Sequence, residues 1–156
     1  MDAIERERKF KVCNEAWRVE AASGARIWQG WLHADDRTSI RIRIADGVAT
    51  VTCKVKIPGE SERRVEIEGQ VEMGVAVQLK ELCGTSLEKT RWRVRRGESV
   101  WEIDEYHNEL DGIVTAEIEN PAEGLVLPMW IGEEVTGKIE WENAHMACQT
   151  AKDPRA

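Results

Sequence analysis

Polar and apolar positions alternate with a period of two over most of this chain. Such alternation is typical of β-strands, because successive side chains point to opposite faces. Helical spacing is confined to short segments near residues 14–20, 72–84 and 142–150. We therefore predict an α+β, mainly β fold. The predicted strands lie near residues 3–11, 25–34, 37–45, 48–57, 60–69, 87–96, 99–107 and 111–120.

Short turn signals separate these strands. Asp46-Gly47 predicts a two-residue hairpin, because a type I′ turn needs positive φ angles that Gly adopts freely. Pro58-Gly59, Gly97 and Asp111-Gly112 mark further turns. Strands joined by such short connections are expected to pair antiparallel.

Ionisable residues of both signs occupy one face of strand after strand. A solvated sheet face would explain any single strand of this kind. Repetition over eight strands instead favours a closed antiparallel barrel whose polar face encloses a charged, hydrated ligand. The residues concerned are Glu5, Glu7, Lys9, Arg41, Arg43, Lys54, Lys56, Arg64, Glu66, Glu68, Lys89, Arg91, Arg93, Arg95, Glu102, Asp104, Glu117 and Glu119.

The mixture of signs indicates a particular chemistry. Gathered carboxylates are unfavourable unless cations lie among them, and Mg²⁺ or Mn²⁺ prefers oxygen ligands of this type. Gathered Arg and Lys side chains suit phosphate oxygens, which Arg can bind through two hydrogen bonds. Both groups in one barrel predict a site for a metal-bound polyphosphate.

Composition excludes several other classes of protein. A formal net charge of −7 opposes a general nucleic-acid binder that relies on a basic surface. The four cysteines are too widely spaced for a zinc site, and we expect reduced thiols. No apolar stretch approaches the ~20 residues of a membrane span, and Met1 leads directly into a charged segment. We therefore expect a cytoplasmic protein without membrane or nucleic-acid partners.

Competing motifs for catalysis are missing from the sequence. It contains no P-loop, no dinucleotide-binding glycine motif and no Gly-x-Ser-x-Gly elbow. The histidines at 33, 107 and 145 lack metal-ligand spacing. The length of 156 residues suits one domain, which we place at 1–150, followed by a tail at 151–156.

The segment Ile4–Phe10 carries a Glu-x-Glu-x-Lys pattern that resembles the signature of the CYTH superfamily, the triphosphate tunnel metalloenzymes. Further segments that resemble the family cover the chain to about residue 147. They are Gln29-Gly30-Trp31-Leu32, Arg41-Ile42-Arg43, Thr52-Cys53-Lys54, Arg64 to Glu68, Glu88-Lys89-Thr90-Arg91, Trp101 to Asp104, Ala116 to Glu119, and Gly132 to Thr136 with Asn143.

This resemblance implies a fold and a set of site residues. The implied fold is an eight-stranded antiparallel barrel that forms a tunnel, with helices packed outside. Catalysis is assigned to Glu5, Glu7 and Lys9, where either Lys9 or a second metal ion would activate a water. The implied metal residues are Glu5, Glu7, Glu117 and Glu119, with Glu66, Glu68 and Asp104 nearby. The implied phosphate-binding residues, with Lys9, are Arg41, Arg43, Lys54, Lys56, Arg64, Lys89 and Arg91.

The short form of the chain looks most like the bacterial inorganic triphosphatases of that family, which implies hydrolysis of tripolyphosphate to pyrophosphate and phosphate. Hydrolysis of nucleoside or thiamine triphosphate, and class IV-type adenylate cyclisation, are alternatives. Trp28, Trp31 or Trp92 could stack on a nucleotide base. A homodimer is compatible with the apolar outer faces.

Position 31 departs from the family pattern. Many relatives carry Tyr there, and an indole has no hydroxyl that could assist in activating water. Trp31 therefore favours a further alternative, a sensor that binds a triphosphate or polyphosphate without turning it over.

Overall fold

The computed structural model describes residues 3–152, and the side chains of residues 3–148. Nine strands and two α-helices lie in this range, together with three short 3₁₀ helices at Ala16–Val19, Asn108–Leu110 and Ile139–Trp141. The helices are α1 (Met73–Leu82) and α2 (Asn143–Lys152). The strands are β1 (Ile4–Val12), β2 (Ala25–Ala34), β3 (Thr38–Ala45), β4 (Val48–Lys56), β5 (Arg63–Val71), β6 (Thr85–Arg96), β7 (Ser99–Tyr106), β8 (Val114–Glu119) and β9 (Ile131–Glu134).

Eight of the strands close into an antiparallel barrel. The order is β5-β4-β3-β2-β6-β7-β8-β1, and β5 pairs with β1 to complete the circle. The first part of β1 pairs with β5 and its later part with β8, while β9 adds to β1 near Phe10. The predicted eight-stranded barrel is therefore confirmed, with one additional strand.

The predicted strand positions agree with the structure except near some ends. β5 begins at Arg63 rather than at residue 60, because the turn that starts at Pro58-Gly59 continues to residue 62. β8 begins at Val114 rather than at residue 111, because a 3₁₀ helix and Gly112 precede it. The four-residue β9 was not predicted, since so short a strand shows little alternation.

The hairpin between β3 and β4 forms as predicted. Asp46 and Gly47 have φ angles of 50° and 74°, which a type I′ turn requires. The two strands then pair in register from Ala45 opposite Val48 to Thr38 opposite Val55. Arg41 and Arg43 thereby occupy the same face of β3.

The outer apolar face of the barrel is covered by segments outside the strands. Trp17, from the 3₁₀ helix after β1, and Trp130, from the loop before β9, pack into one cluster with Trp101. All three indoles are buried, and Trp101 and Trp130 meet edge to face at 5.7 Å between centroids. On the opposite side, α1 places Ala76 against Ile42. This packing buries three of the seven tryptophans of the chain.

One end of the barrel is filled by apolar side chains. Trp31 of β2, Leu87 of β6 and Tyr106 of β7 pack there against Met146 and Ala147 of α2. The helix therefore closes this end, and the polar interior lies beyond it.

The predicted tail at 151–156 is only partly covered by the structure. Residues 151 and 152 belong to α2, whereas residues 153–156 lie outside the described range. Across the described residues, no helix is both long and apolar enough to cross a membrane.

Candidate active site

The barrel encloses a cavity of about 310 Å³ whose wall is dominated by charged side chains. Alternation along the strands turns these side chains inward and most of the apolar residues outward. The carboxylates that line it from the strands are Glu5, Glu7, Glu66, Glu68, Glu102, Glu117 and Glu119. The basic residues that line it from the strands are Lys9, Arg41, Arg43, Lys54, Lys56, Arg64, Arg91 and Arg93.

Three of these carboxylates form a compact group, here named the glutamate cluster. It comprises Glu5 and Glu7 of β1 and Glu119 of β8, with one oxygen from each lying within 4.8 Å of the others. The pairing of Glu7 opposite Glu119 brings the two strands' carboxylates together. Burial, reinforced by Glu102 and the rest of the cluster, raises the pKa of Glu119 to about 7. The cluster is thus unfavourable when fully ionised and unliganded.

The donor set of the glutamate cluster fits a divalent cation. Glu5 Oε2 and the neighbouring Glu66 Oε2 are buried and accept no hydrogen bond from the described residues. Lys54 Nζ lies 3.1 and 3.4 Å from these two oxygens and offsets part of their charge. The three carboxylates of the glutamate cluster, with oxygens within 4.8 Å of one another, suit Mg²⁺ or Mn²⁺, which prefer hard oxygen ligands. The arrangement can therefore hold such an ion.

A second feature, here named the arginine pair, lies on β3. It comprises Arg41 and Arg43, and among the described residues no carboxylate oxygen comes within 4.0 Å of either guanidinium. Arg43 Nε instead donates to the amide oxygen of Gln29 at 3.1 Å. Burial lowers the pKa of Arg43 to about 10, and the charges of Arg41 and Arg91 act in the same direction. The pair therefore concentrates positive charge that is available to an anion.

Lys9 is held between the wall and the C-terminal segment. Its Nζ donates to the carbonyl oxygen of Trp141 at 2.6 Å and lies 3.5 Å from a carboxylate oxygen of Glu117. Burial alone would lower the pKa of Lys9, but Tyr106, Glu117 and Glu7 raise it above its ordinary value. Lys9 is therefore a charged hydrogen-bond donor at neutral pH.

Beside the cavity, in the barrel interior, lies a buried ionic group of Lys89, Arg91 and Asp104. Asp104 accepts from Lys89 Nζ at 2.7 Å and from Arg91 Nε and Nη2 at 2.7 and 2.8 Å. Lys89 is 0% exposed and Asp104 is 1% exposed. Burial alone would raise the pKa of Asp104, but the two cations hold it below its ordinary value. Asp104 thus fixes Arg91, which does reach the cavity.

A protein-family model for the CYTH domain matches residues 3–145. Across 144 residues, 90% of either chain, the sequence is 36% identical to an inorganic triphosphatase from Acetivibrio thermocellus. The chain belongs to the CYTH family. The resemblance stated from the sequence is thereby confirmed.

Solved structures show the same CYTH fold. The crystal structure of an inorganic triphosphatase superposes with a TM-score of 0.65 at 24% identity, over 92% of this chain and 93% of that one. A protein from Pyrococcus horikoshii superposes with a TM-score of 0.61 at 16% identity, over 94% and 85% of the two chains. At these identities, the likeness supports the tunnel architecture alone.

Most of the residues predicted from the CYTH resemblance come together in the cavity. Six of the seven predicted metal residues line it, and so do six of the seven predicted phosphate-binding residues, as does Lys9. Lys89 and Asp104 are the exceptions. Both are buried in the barrel interior, where they pair with each other and do not line the cavity.

Some lining residues of this CYTH domain were not predicted as site residues. Glu102 and Arg93 pair across β7 and β6, and both had appeared in the alternating series. That alternation could have identified them. The C-terminal segment 135–144 also contributes to the wall, including Trp141 and Glu142. It has no period-two pattern that could have indicated this position.

The three tryptophans suggested for base stacking lie in different places. Trp31 lines the cavity and is 5% exposed. Trp92 packs outside the barrel against Trp17, with the ring centroids 5.9 Å apart. Trp28 also lies outside, where Lys80 of α1 sits 4.6 Å above its ring. Of these three indoles, only Trp31 lies where it could contact a ligand in the tunnel.

We expect Mg²⁺ to stabilise the protein more at pH 8 than at pH 5. The pKa of Glu119 lies above its unfolded value, so this group destabilises the metal-free fold as pH rises from about 4.5 through about 7. Deprotonation of Glu119 also strengthens the binding of a divalent cation to the glutamate cluster. Thermal unfolding with Mg²⁺ and with EDTA across this pH range measures the difference. Glu119→Gln should flatten the pH dependence, and a pH-independent effect of Mg²⁺ in the unmodified protein would contradict this prediction.

Proposed function

We propose that this protein is a metal-dependent triphosphatase that hydrolyses inorganic tripolyphosphate to pyrophosphate and phosphate. The observation that carries the proposal is the presence, in one cavity, of the glutamate cluster and the arginine pair. The first suits a divalent cation and the second suits phosphate oxygens. The inorganic triphosphatase that is 36% identical supports the choice of substrate.

The metal would be held by Glu5, Glu7 and Glu119, and we propose Mg²⁺ or Mn²⁺. Glu66, Glu68 and Glu117 line the same cavity and would complete the acidic surroundings. When bound, such an ion neutralises charge on the phosphate oxygens and on the transition state.

The basic residues would bind and orient the phosphate chain. We assign Arg41 and Arg43 to this role first, because neither is neutralised by a carboxylate among the described residues. Arg64 Nη2 lies 3.0 Å from Glu7 Oε1, so it lies where the phosphate chain and the metal would meet. Arg91, fixed by Asp104, would contact the chain from β6. These fixed charges can stabilise the negative charge that develops during phosphoryl transfer.

The reaction is a displacement at the terminal phosphorus. The oxygen of a water molecule forms a bond to that phosphorus, while the bond from the phosphorus to the bridging oxygen breaks. The water gives one proton to a phosphate oxygen of the substrate and keeps the other as the hydroxyl of the product phosphate, and the leaving group is pyrophosphate. The positive charges of the arginine pair and Arg91 offset charge on both product phosphates.

For Lys9 we propose the role of a charged donor. An ammonium has no lone pair, so it can orient a phosphate oxygen or stabilise its charge but cannot accept a proton. The hydrogen bond from Lys9 Nζ to the carbonyl oxygen of Trp141 and the nearby carboxylate of Glu117 keep the ammonium in place. This assignment departs from one of the two alternatives that the family resemblance left open, namely that Lys9 rather than a second metal ion activates the water.

Phosphate release from tripolyphosphate, ATP and thiamine triphosphate, measured in parallel with Mg²⁺, Mn²⁺ and EDTA, tests the proposed function. We expect rapid release from tripolyphosphate with either metal and none with EDTA. Faster phosphate release from ATP or thiamine triphosphate would contradict the proposal that tripolyphosphate is the substrate. If the protein binds tripolyphosphate but releases phosphate from none of the three compounds, the enzyme proposal is contradicted and the sensor is favoured. Trp31→Tyr would then be the substitution to make.

A further inference from the structure

Gln29 is a polar residue at the centre of β2 whose side chain is 0% exposed. It lies between Arg43 of β3 and Leu87 of β6 in the sheet. Its amide oxygen accepts a hydrogen bond from Arg43 Nε at 3.1 Å, and its amide nitrogen has no hydrogen-bond partner among the described residues. The neighbouring inward positions of β2, Ile27 and Trp31, are apolar. A buried amide among them needs an explanation.

The bond to Arg43 supplies that explanation. Arg43 lines the cavity, and its two terminal nitrogens donate to no described group. Gln29 therefore fixes the guanidinium through Nε and leaves the outer edge, which can bind an oxyanion through two parallel hydrogen bonds, unused.

The neutrality of the amide is equally informative. Two other arginines of the cavity wall are held by carboxylates: Arg64 by Glu7, and Arg91 by Asp104. A carboxylate partner orients a cation but also cancels much of its charge. An amide oxygen orients Arg43 and leaves its charge intact.

We propose that Gln29 is a positioning residue that presents Arg43 to a phosphate group at full charge. This inference rests on the proposed function, because it takes the ligand of Arg43 to be a phosphate of the substrate. Gln29 does not contact the cavity itself, so it acts through Arg43.

Gln29→Glu tests the charge argument. The substitution preserves size and the acceptor for Arg43 Nε but adds a negative charge. We expect KM for tripolyphosphate to rise about tenfold or more, with a much smaller change in kcat. The melting temperature without ligand measures folding, and a purely structural role would leave KM unchanged while the bond is preserved.

Gln29→Met tests the positioning argument, because it keeps the side-chain volume and removes the acceptor. We expect KM to rise about threefold to tenfold. Gln78→Glu is the matched control, since Gln78 is exposed on α1 and undergoes the same charge change far from the cavity. It should leave KM within about twofold of the unmodified protein.

A double-mutant cycle with Arg43→Ala shows whether the effect passes through Arg43. In the Arg43→Ala protein, adding Gln29→Glu should change KM by less than about twofold. An equal rise in KM with and without Arg43 would overturn the inference, and so would an unchanged KM in Gln29→Glu.

Equilibrium binding of tripolyphosphate in EDTA, measured by calorimetry, separates this inference from the proposed function. Tight binding by the unmodified protein and weak binding by Gln29→Glu would support the inference even if no phosphate were released. Equal binding by both proteins would overturn it while leaving the triphosphatase proposal intact. Absence of binding by the unmodified protein would overturn the inference as well.

Discussion

Glu5→Gln and Glu119→Gln are each expected to lower phosphate release from tripolyphosphate by about a hundredfold or more at saturating Mg²⁺. Glutamine keeps the shape of the side chain but removes one negative charge from the glutamate cluster. The cluster has three carboxylates with oxygens within 4.8 Å, so each substitution removes one of the three metal-ligating groups proposed. Steady-state rates over a range of Mg²⁺ concentrations measure the effect.

The fold should survive these substitutions. Burial raises the pKa of both Glu5 and Glu119, so their ionised forms are unfavourable without a metal. In EDTA at pH 8 we therefore expect melting temperatures equal to or above that of the unmodified protein. Glu81→Gln, at an exposed position of α1, is the control and should retain activity. If both cluster variants turn over tripolyphosphate as fast as the unmodified protein, the assignment of Glu5 and Glu119 to the metal site is wrong.

Asp104→Asn is expected to lower the free energy of unfolding by about 3–5 kcal/mol. The substitution leaves Lys89 and Arg91 buried around a neutral amide, and no other carboxylate bonds Lys89 among the described residues. For a domain of this size the melting temperature should fall by roughly 6–20 °C. Chemical denaturation and thermal unfolding measure both quantities.

The metal dependence of this loss distinguishes two roles for Asp104. If Asp104 anchors Lys89 and Arg91, Asp104→Asn should lower the free energy of unfolding equally with EDTA and with Mg²⁺. A metal ligand, as the family resemblance implied, predicts little loss in EDTA and a weaker response to Mg²⁺. Asp36→Asn, at an exposed position, should have little effect. Adding Lys89→Met to Asp104→Asn should restore part of the stability, because it removes the buried ammonium that Asp104 had paired, whereas Arg91 keeps Glu102 at 3.2 Å.

Much of the fold was predictable because alternation is a local property. In β3, the sequence from Ile40 to Ile44 places arginines on one face and isoleucines on the other, whatever the strand pairs with. The hairpin at Asp46-Gly47 then follows from the positive φ angles that the turn requires. β9 could not be predicted in this way, because its four residues form a strand only by adding to β1.

The candidate site was predictable in composition but not in arrangement. Lys89 and Arg91 alternate on β6 just as Arg41 and Arg43 do on β3. The structure buries Lys89 against Asp104, beside the end of the barrel that Tyr106 and α2 fill. Arg43, in contrast, faces the cavity, and within the described part of the chain its guanidinium donates to Gln29 alone. Alternation gives the face of a residue but not its depth along the barrel.

The sequence by itself determined that this chain forms a barrel with a charged interior, because the period-two pattern and the turn residues act locally. The family resemblance also located the glutamates and arginines that face that interior. Only the tertiary structure decided which charges remain available: register pairs Glu7 with Glu119, whereas Asp104 binds Lys89 and Arg91. The physical reason is that a charge is neutralised by its neighbours in space, and those neighbours come from strands far apart in the chain.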